Sequence, residues 1–494
     1  MKPNTRAPGT GIRLKAARHD TLGLPVGTAL ALAVSLGACS VGDDYQRPDT
    51  SIPTAWTVAD HAAAWPDSPW WHRFGSQTLD ALMEQTEHNN FDLAAAVARV
   101  RQADAQARIA GAPLLPGIDA GGGVSRQKAS AQSTSGAGSK APGSPPQAPT
   151  ASIAYTTTLT ASYELDFWGK NAAGLDSAEA AAQASRFDRQ TVALTLQASV
   201  ATNYFDLLGT QDRLQVARNN VKNAEEVLAA IRDRVHFGTA TELDLAQQES
   251  VTAGLRAALP PLEQQVRQDV NALALLAGQL PERTKIPAGT LTGVTLPPIA
   301  PGLPSELLGR RPDVQSAEAQ LIAANADITA AKAALFPNVT LTAEVGFESL
   351  ALTTLLHGSN LLYSMAAGVT QPIFHGAALQ GAIEAKLGRY DELVQDYRKA
   401  VLSAFTDVEN SLIVARKTAE EEEAQKLAVV TAQRAFDISK AQFDAGLVDI
   451  TTLLTTQKTL FAAEDALVQA KLGHVQAVVG LFKALGGGWS APQA

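Results

Sequence analysis

Four short segments alternate between apolar and polar residues, and their small number limits what this chain can build. In segment 155–167 the odd positions are mostly apolar and the even positions are all polar. Segment 339–347 alternates in the same way, and segments 118–127 and 363–374 do so more weakly. Successive residues of a strand point to opposite faces, so the pattern predicts strands with one apolar and one polar face.

Strands of this kind are typical of β-barrels in an outer membrane, where lipid lies outside the barrel and water inside it. A barrel leaves no open edge in the membrane, and the smallest bacterial examples have about eight strands. Four strands are too few to close a barrel of this kind. The sequence therefore predicts a barrel shared between identical chains, with eight strands from a dimer or twelve from a trimer.

Two long proline-free segments predict helices of unusual length. Neither residues 171–237 nor residues 377–445 contain a proline. At 1.5 Å per residue, each helix would reach about 100 Å. Apolar residues then recur every seven positions from Leu454 to Phe482, a spacing that predicts packing against a neighbouring helix. The predicted fold class is mainly α with a small β part.

One pattern occurs twice along the chain. Segment 110–120 resembles 331–341, and segment 236–250 resembles 444–458. Each half is predicted to run helix, strand, loop, strand, long helix, glycine turn and helix, which indicates two internal repeats. Pro260-Pro261 distinguishes the halves, because two prolines must kink or divide the last helix of the first half.

The predicted organisation has five parts. These are a signal peptide at 1–38, a lipid-anchored extended segment at 39–78, a first repeat at 79–302, a second repeat at 303–488 and a tail at 489–494. The first repeat is predicted to contain a helix, strands at about 117–127 and 152–168, a long helix at 171–237 and a helix at 241–280. The second is predicted to contain a helix at 313–335, strands at about 338–348 and 362–374, a long helix at 377–445 and a helix at 450–486. Residues 130–150, rich in Gly, Ser and Pro, are expected to form an exposed loop to which no role is assigned.

The N-terminus has the features of a secretory signal. Basic residues precede an apolar run at 22–36 that is short for a membrane span, and the sequence LGACS follows at 36–40. This stretch resembles a bacterial lipobox, in which Cys39 would carry the lipid. The alternative is a buried, unmodified cysteine. By resemblance to sorted lipoproteins, Ser40 favours the outer membrane, where acyl chains contribute about 0.8 kcal/mol per buried methylene.

Several classes of function are disfavoured. The formal net charge of −9 argues against a nucleic-acid partner, and the single cysteine excludes a disulfide framework and a multi-cysteine metal site. No HExxH, Walker A or nucleophile-elbow motif is present. The sequence therefore predicts no enzyme, no metal and no cofactor.

Five segments carry a resemblance to the outer-membrane factor family, the TolC-like channels, and within it to the lipoprotein (NodT-type) subclass of efflux channels. They are ACSVGDDYQRP (38–48), YELDFWGK (163–170), GRRPDVQSAEAQLIAANADITAAKAALFPNVTLTAEVGF (309–347), TQPIFHGA (370–377) and KALGGGW (483–489). The resemblance implies a homotrimer with a twelve-stranded outer-membrane barrel, continuous with an α-helical tunnel in the periplasm. It also implies that small toxic compounds or drugs pass from an inner-membrane pump and a periplasmic adaptor across the outer membrane of a Gram-negative bacterium.

The resemblance also points to two glycine turns as adaptor-docking sites. They contain Gly238 and Thr239 in the first half, and Gly446 and Leu447 in the second. Glycine suits the positive φ that a tight reversal needs. The alternative is that these are ordinary hairpin turns.

Three aspartates near the same turns are candidates for a periplasmic gate: Asp437, Asp444 and Asp449. In a trimer each would form a ring of three carboxylates, which raise one another's pKa and favour cations. Which of them faces inward is left open, and the alternative for each is a solvated residue near a helix end.

Two other functions stay open at the level of sequence. The same channel could serve protein secretion, or the chain could be an envelope-spanning structural lipoprotein that conducts nothing. A panel of toxic compounds on a deletion strain separates the first from efflux, and conductance in planar bilayers separates the second.

Overall fold

The computed structural model describes residues 41–50, 52–57, 69–128, 151–298 and 304–489. The predicted signal peptide, Cys39 and the loop at 130–150 lie outside the described residues, as does the tail after residue 489. The rest of the chain is mainly helical.

The described part of the first half contains five helices and two strands. They are α1 Gln77–Asn89, α2 Phe91–Gly111, β1 Gly117–Lys128, β2 Ala151–Leu165, α3 Lys170–His236, α4 Glu242–Ala257 and α5 Leu259–Leu276.

The described part of the second half contains four helices and two strands. They are α6 Leu307–Arg310, α7 Pro312–Ala333, β3 Asn338–Ser349, β4 Leu361–Thr370, α8 Ala378–Asp444 and α9 Ile450–Ala484. Both long helices, α3 and α8, have 67 residues. Among the described helices, none has the length and apolarity required to cross a membrane.

The four strands form one antiparallel sheet in the order β1-β2-β3-β4. Its register keeps the two faces apart. Thr160 lies between Asp119 and Glu344 in one polar row, whereas its neighbour Leu159 lies between Ala120 and Val345 in an apolar row. β1 and β4 are the edges of this sheet and do not pair with each other, so the sheet of one chain is open.

Helix packing provides the core, in several separate clusters along the bundle. Where α1, α3 and α9 meet, Trp70 stacks on Phe482 with ring centroids 5.0 Å apart, and Phe205 is fully buried beside them. A second cluster surrounds Tyr397 of α8, and a third, near the ends of α3 and α8, contains Ile231. Because the clusters follow one another along the helices, the long helices are held over much of their length.

The helix predicted at 241–280 is divided into two, as the prediction from Pro260-Pro261 required. α4 ends at Ala257 and α5 begins at Leu259, so that Pro260 and Pro261 lie in the first turn of α5. Backbone N–H groups in a first turn have no partner in the helix, and proline is therefore tolerated there.

Two strands end earlier than predicted. β4 stops at Thr370 rather than 374, just before Gln371-Pro372, because proline cannot donate to a strand ladder. β2 stops at Leu165 rather than 168. There the Asp166 carboxylate accepts a hydrogen bond from the Ala172 N–H at 2.7 Å, which turns the chain into α3.

The N-terminal segment lies against α7 and α8. Arg47 donates two hydrogen bonds to the carboxylate of Glu318, at 2.6 and 2.7 Å. Further along, Trp56 packs against Phe405 of α8. Towards the N-terminus, Asp43 forms an ion pair with Lys332, which lies in the last turn of α7, at 3.2 Å. The segment therefore runs along the helices towards the end of the bundle that carries the sheet.

Candidate functional site at the two helix turns

The two long helices end in turns of the same construction. The Gly238 N–H donates to the Val235 carbonyl at 3.0 Å, and the Thr239 N–H donates to the Arg234 carbonyl at 2.8 Å. This pair of bonds satisfies carbonyls that would otherwise lack partners at the helix end.

The second turn repeats the first. The Gly446 N–H donates to the Phe443 carbonyl at 3.0 Å, and the Leu447 N–H donates to Gln442 at 2.8 Å. The φ angles are +73° at Gly238 and +71° at Gly446, in the left-handed region that favours glycine.

The helices that leave the turns also begin alike. At α4 the Asp244 N–H donates to the Thr241 hydroxyl at 3.2 Å, and the Thr241 N–H donates back to the Asp244 carboxylate at 2.8 Å. At α9 the Asp449 carboxylate accepts from the N–H and the hydroxyl of Thr452, at 2.9 and 2.7 Å. Both helices are therefore capped within the chain.

Arg234 joins the two turns. From the last turn of α3 it donates to the backbone carbonyls of Phe443 and Asp444, at 3.0 and 3.3 Å, and to the Asp444 carboxylate at 3.2 Å. Its guanidinium lies over the Phe443 ring, 4.4 Å from the centroid. A cation that binds the terminal carbonyls of a helix stabilises that end, so α3 caps α8. Nothing in the sequence had singled out Arg234.

Each of the three candidate gate aspartates has a partner within its own chain. Asp444 is exposed and binds Arg234. Asp437 is exposed and accepts from the Gln433 amide at 2.9 Å. Asp449 is the N-cap of α9, and the hydrogen bonds from the Thr452 side chain and backbone lower its pKa. The single chain places these carboxylates near one end of the bundle without bringing them into one cluster.

The turns also present apolar side chains to solvent. Phe237 is 76% exposed, Leu447 is 75% exposed and Leu243 is 65% exposed. Gly238 and Thr239 are exposed beside them. A group of apolar residues held on rigid turns is a suitable surface for a partner.

Comparison with known proteins identifies the family to which the chain belongs. The sequence profile of the outer membrane efflux proteins matches residues 82–279 and 303–487. The chain belongs to the outer membrane efflux protein family. Members of this family are transport channels rather than enzymes.

Two curated relatives show how far the similarity extends. The chain is 40% identical over 465 residues to the pyoverdine export outer membrane protein OpmQ of Pseudomonas aeruginosa, covering 94% of this chain and 96% of the relative. It is 33% identical over 483 residues to the toluene efflux pump outer membrane protein TtgF of Pseudomonas putida, covering 93% and 96%.

Solved structures agree with the fold. The outer-membrane channel OprN is 26% identical and superimposes with a TM-score of 0.84, over 91% of this chain and 100% of the other. The open state of the MtrE outer membrane channel of Neisseria gonorrhoeae is 27% identical and superimposes with a TM-score of 0.82, over 91% and 98%. This efflux protein therefore shares its architecture with TolC-like channels over nearly its whole length.

Proposed function

We propose that this efflux channel is a homotrimer, in which three chains share a twelve-stranded outer-membrane barrel that continues into a tunnel of long helices. The observation that carries the proposal is the open sheet. Its two faces differ in polarity, and its edge strands β1 and β4 do not pair with each other. Unpaired edges are not stable in lipid, so the edges of neighbouring chains must pair.

The long helices support a tunnel that crosses the periplasm. At 1.5 Å per residue, the 67 residues of α3 and of α8 each span about 100 Å. The family profile matches the chain in two segments, which supports the proposal that the halves are structural repeats. Three chains would then contribute six such helices.

The course of the N-terminal segment supports a lipid anchor at Cys39. Asp43 lies against Lys332, near the point where α7 gives way to β3. The described segment thus approaches the sheet end of the bundle as it nears residue 41, which is the end where a lipid anchor would share the membrane of the barrel.

The two turns at the opposite end are proposed to bind the periplasmic adaptor, which connects the channel to an inner-membrane pump. The residues are Gly238 and Thr239 in one turn and Gly446 and Leu447 in the other. Their exposure, together with that of Phe237, supports this role.

Asp444 is the aspartate that we propose for the periplasmic gate, because its carboxylate is exposed and forms an ion pair at the surface with the half-buried Arg234. Asp437 is the second candidate, and Asp449 is the weakest since it caps α9. Asp444→Asn removes the charge at nearly constant size. We expect a weaker preference for cations and a higher single-channel conductance in planar bilayers, and unchanged values would eliminate Asp444.

Small toxic compounds or drugs are the proposed cargo. The names of the relatives, for pyoverdine export and toluene efflux, support small compounds over secreted proteins. A deletion strain should become sensitive to members of a toxic-compound panel. Unchanged sensitivity to the panel, together with loss of a secreted protein, would instead indicate protein export.

One experiment tests assembly and anchor together. The native mass of the purified protein in detergent should be that of three chains, and its N-terminal peptide should carry acyl groups on Cys39. A monomer that stays in solution without detergent would contradict the shared barrel. In planar bilayers the trimer should conduct, and silence would indicate a structural lipoprotein.

A further inference from the structure

A groove of about 780 Å³ lies along α3, between the two halves of the chain. Its floor is α3, one wall is the junction of α4 and α5, and the other wall is α9. Most of its lining is apolar, including Val216 of α3, Val251, Leu255 and Leu262 of the first wall, and Leu454 and Phe461 of the second. Its volume is in the range of small-molecule sites, about 300–1,000 Å³.

The groove is open where a side chain would be expected to fill it. Gly254 lies inside α4, and a Cβ added there would meet no atom within 4 Å. Glycine inside a helix is less stable than alanine, so neither helix propensity nor close packing within the chain explains it. The break between α4 and α5 at Ala258 lies in the same wall.

Two polar groups in the groove lack partners. Lys458 of α9 lines it, and the described part of the chain offers this ammonium no ion pair. Asn220 of α3 is only 4% exposed, and its Oδ1 has no hydrogen-bond partner among the described residues. Buried polar groups are nearly always satisfied, so this oxygen can accept a hydrogen bond from an occupant of the groove.

The two other charged residues that line the groove pair with each other. Arg213 binds Asp465 at 2.7 Å, where the two charges offset each other. Glu464, which is not part of the lining, accepts a hydrogen bond from the Asn220 amide, and burial raises the pKa of that carboxyl. Lys458 is therefore the charge in the groove that an occupant would have to match.

We propose that the groove binds a small amphipathic anion. Its flat apolar body lies between the α4–α5 junction and α9, its acidic group pairs with Lys458, and a donor on the same molecule reaches the Oδ1 of Asn220. Because floor and walls come from one chain, the site is complete in each protomer. The inference does not depend on the proposed function.

The test uses two dyes that share an aromatic framework and differ in charge. These are 1-anilinonaphthalene-8-sulfonate, an anion, and N-phenyl-1-naphthylamine, which is neutral. Each is titrated by fluorescence into the full-length mature protein in nanodiscs of anionic lipid, with empty nanodiscs subtracted. We expect saturable binding of the anion, and weaker binding of the neutral dye.

Two pairs of variants locate the binding. Gly254→Leu fills the open space and should abolish saturable binding of both dyes, whereas Gly254→Ala improves the helix but leaves the groove open and should retain it. Lys458→Met should weaken binding of the anion about fivefold and leave binding of the neutral dye unchanged, as expected for one exposed ion pair. Lys458→Arg should restore binding of the anion.

Three results would overturn the proposal. The first is no saturable binding of the anion by the wild type. The second is binding that Gly254→Leu and Lys458→Met leave unchanged, which places the dye elsewhere. The third is a loss of the native oligomer in Gly254→Leu but not in Gly254→Ala, which makes the groove a contact between subunits. Helical circular dichroism of each variant confirms that it is folded.

Discussion

The two halves of the chain differ most in the helix that returns from the turn. In the second half α9 runs unbroken for 35 residues, whereas in the first half the same course is divided into α4 and α5, of 16 and 18 residues. Pro260 and Pro261 stand where α9 has Val468 and Gln469. The first half therefore keeps the same order of helices but divides the returning one, and the α4–α5 junction forms one wall of the groove described above.

A second difference lies in how the halves pack. In the second half His474 of α9 contacts Glu422 of α8 at 2.7 Å, and Lys426 binds the same carboxylate at 2.9 Å. The positions matching His474 and Glu422 in the first half are Val266 and Leu214. The first half therefore has apolar residues at the positions where the second half has a paired charge.

The largest effect should come from moving the helix break into the second half. Gln469→Pro places proline inside α9, where it removes a backbone hydrogen bond and clashes with the preceding turn. We expect a loss of about 3 kcal/mol or more in the free energy of unfolding, measured from helical circular dichroism on heating. Pro261→Ala, at the matching position, should cost less than about 1 kcal/mol. Similar losses of stability in the two variants would show that the break in the helix is not what distinguishes the two halves.

Arg234→Ala should have the next largest effect, because it removes the cap that α3 provides for α8. Charge-assisted hydrogen bonds of this kind are worth about 2 kcal/mol. Hydrogen exchange should therefore quicken at residues 439–445 more than at residues 231–238. Arg232→Ala is the matched control, since Arg232 forms an exposed ion pair with Glu249 and should change little. Equal acceleration in both turns would contradict a one-sided cap.

Glu422→Gln tests the polar contact of the second half through its pH dependence. Burial alone would raise the pKa of Glu422, but hydrogen bonds from His474 and Lys426 outweigh it and lower the pKa below its usual range. A carboxyl with a depressed folded-state pKa stabilises the fold fully above its unfolded pKa, about 4.3, and loses that contribution as the pH falls through the folded value.

The difference in stability between wild type and Glu422→Gln should therefore be about 1 kcal/mol at pH 6 to 7 and should shrink below about pH 4. Guanidinium unfolding at a series of pH values measures it. The neighbouring Glu421 is exposed, so Glu421→Gln should show little difference at any pH. A difference that grows on acidification would contradict the assignment.

The smallest effects should come from the turns, where the halves are expected to behave alike. Gly238→Ala and Gly446→Ala each force a Cβ into a left-handed conformation, at about 1 kcal/mol, and neither Cβ meets an atom of the chain within 4 Å. The two melting temperatures should fall by the same amount. A much larger fall in one variant would reveal a neighbouring subunit at that turn.

Local patterns in the sequence were enough to predict the elements. Alternation around Leu159 gave a strand whose apolar and polar rows the sheet keeps apart, and the absence of proline gave the long helices. Gly238 and Gly446 were expected to adopt positive φ, which they do. Their docking role, like lipidation at Cys39 and the gate at Asp444, stays a prediction.

Contacts between distant segments could not be predicted. Arg234 meets Phe443 across 209 positions, and no residue pattern marks that meeting. The groove is a similar case, since Asn220 and Lys458 are ordinary surface types in the sequence and come to line one groove only after the halves pack. The exact ends of α4 and α5 depended on which turn of a helix would accommodate Pro260-Pro261.

The bond between Arg234 and the end of α8 has a consequence for how such a chain can change in length. α3 and α8 end level with each other, so one residue inserted into either would shift its tip by about 1.5 Å and rotate it by about 100°. Arg234 would then face the wrong carbonyl. A change in the length of one long helix must therefore be matched in the other, and in the helices that return from the turns.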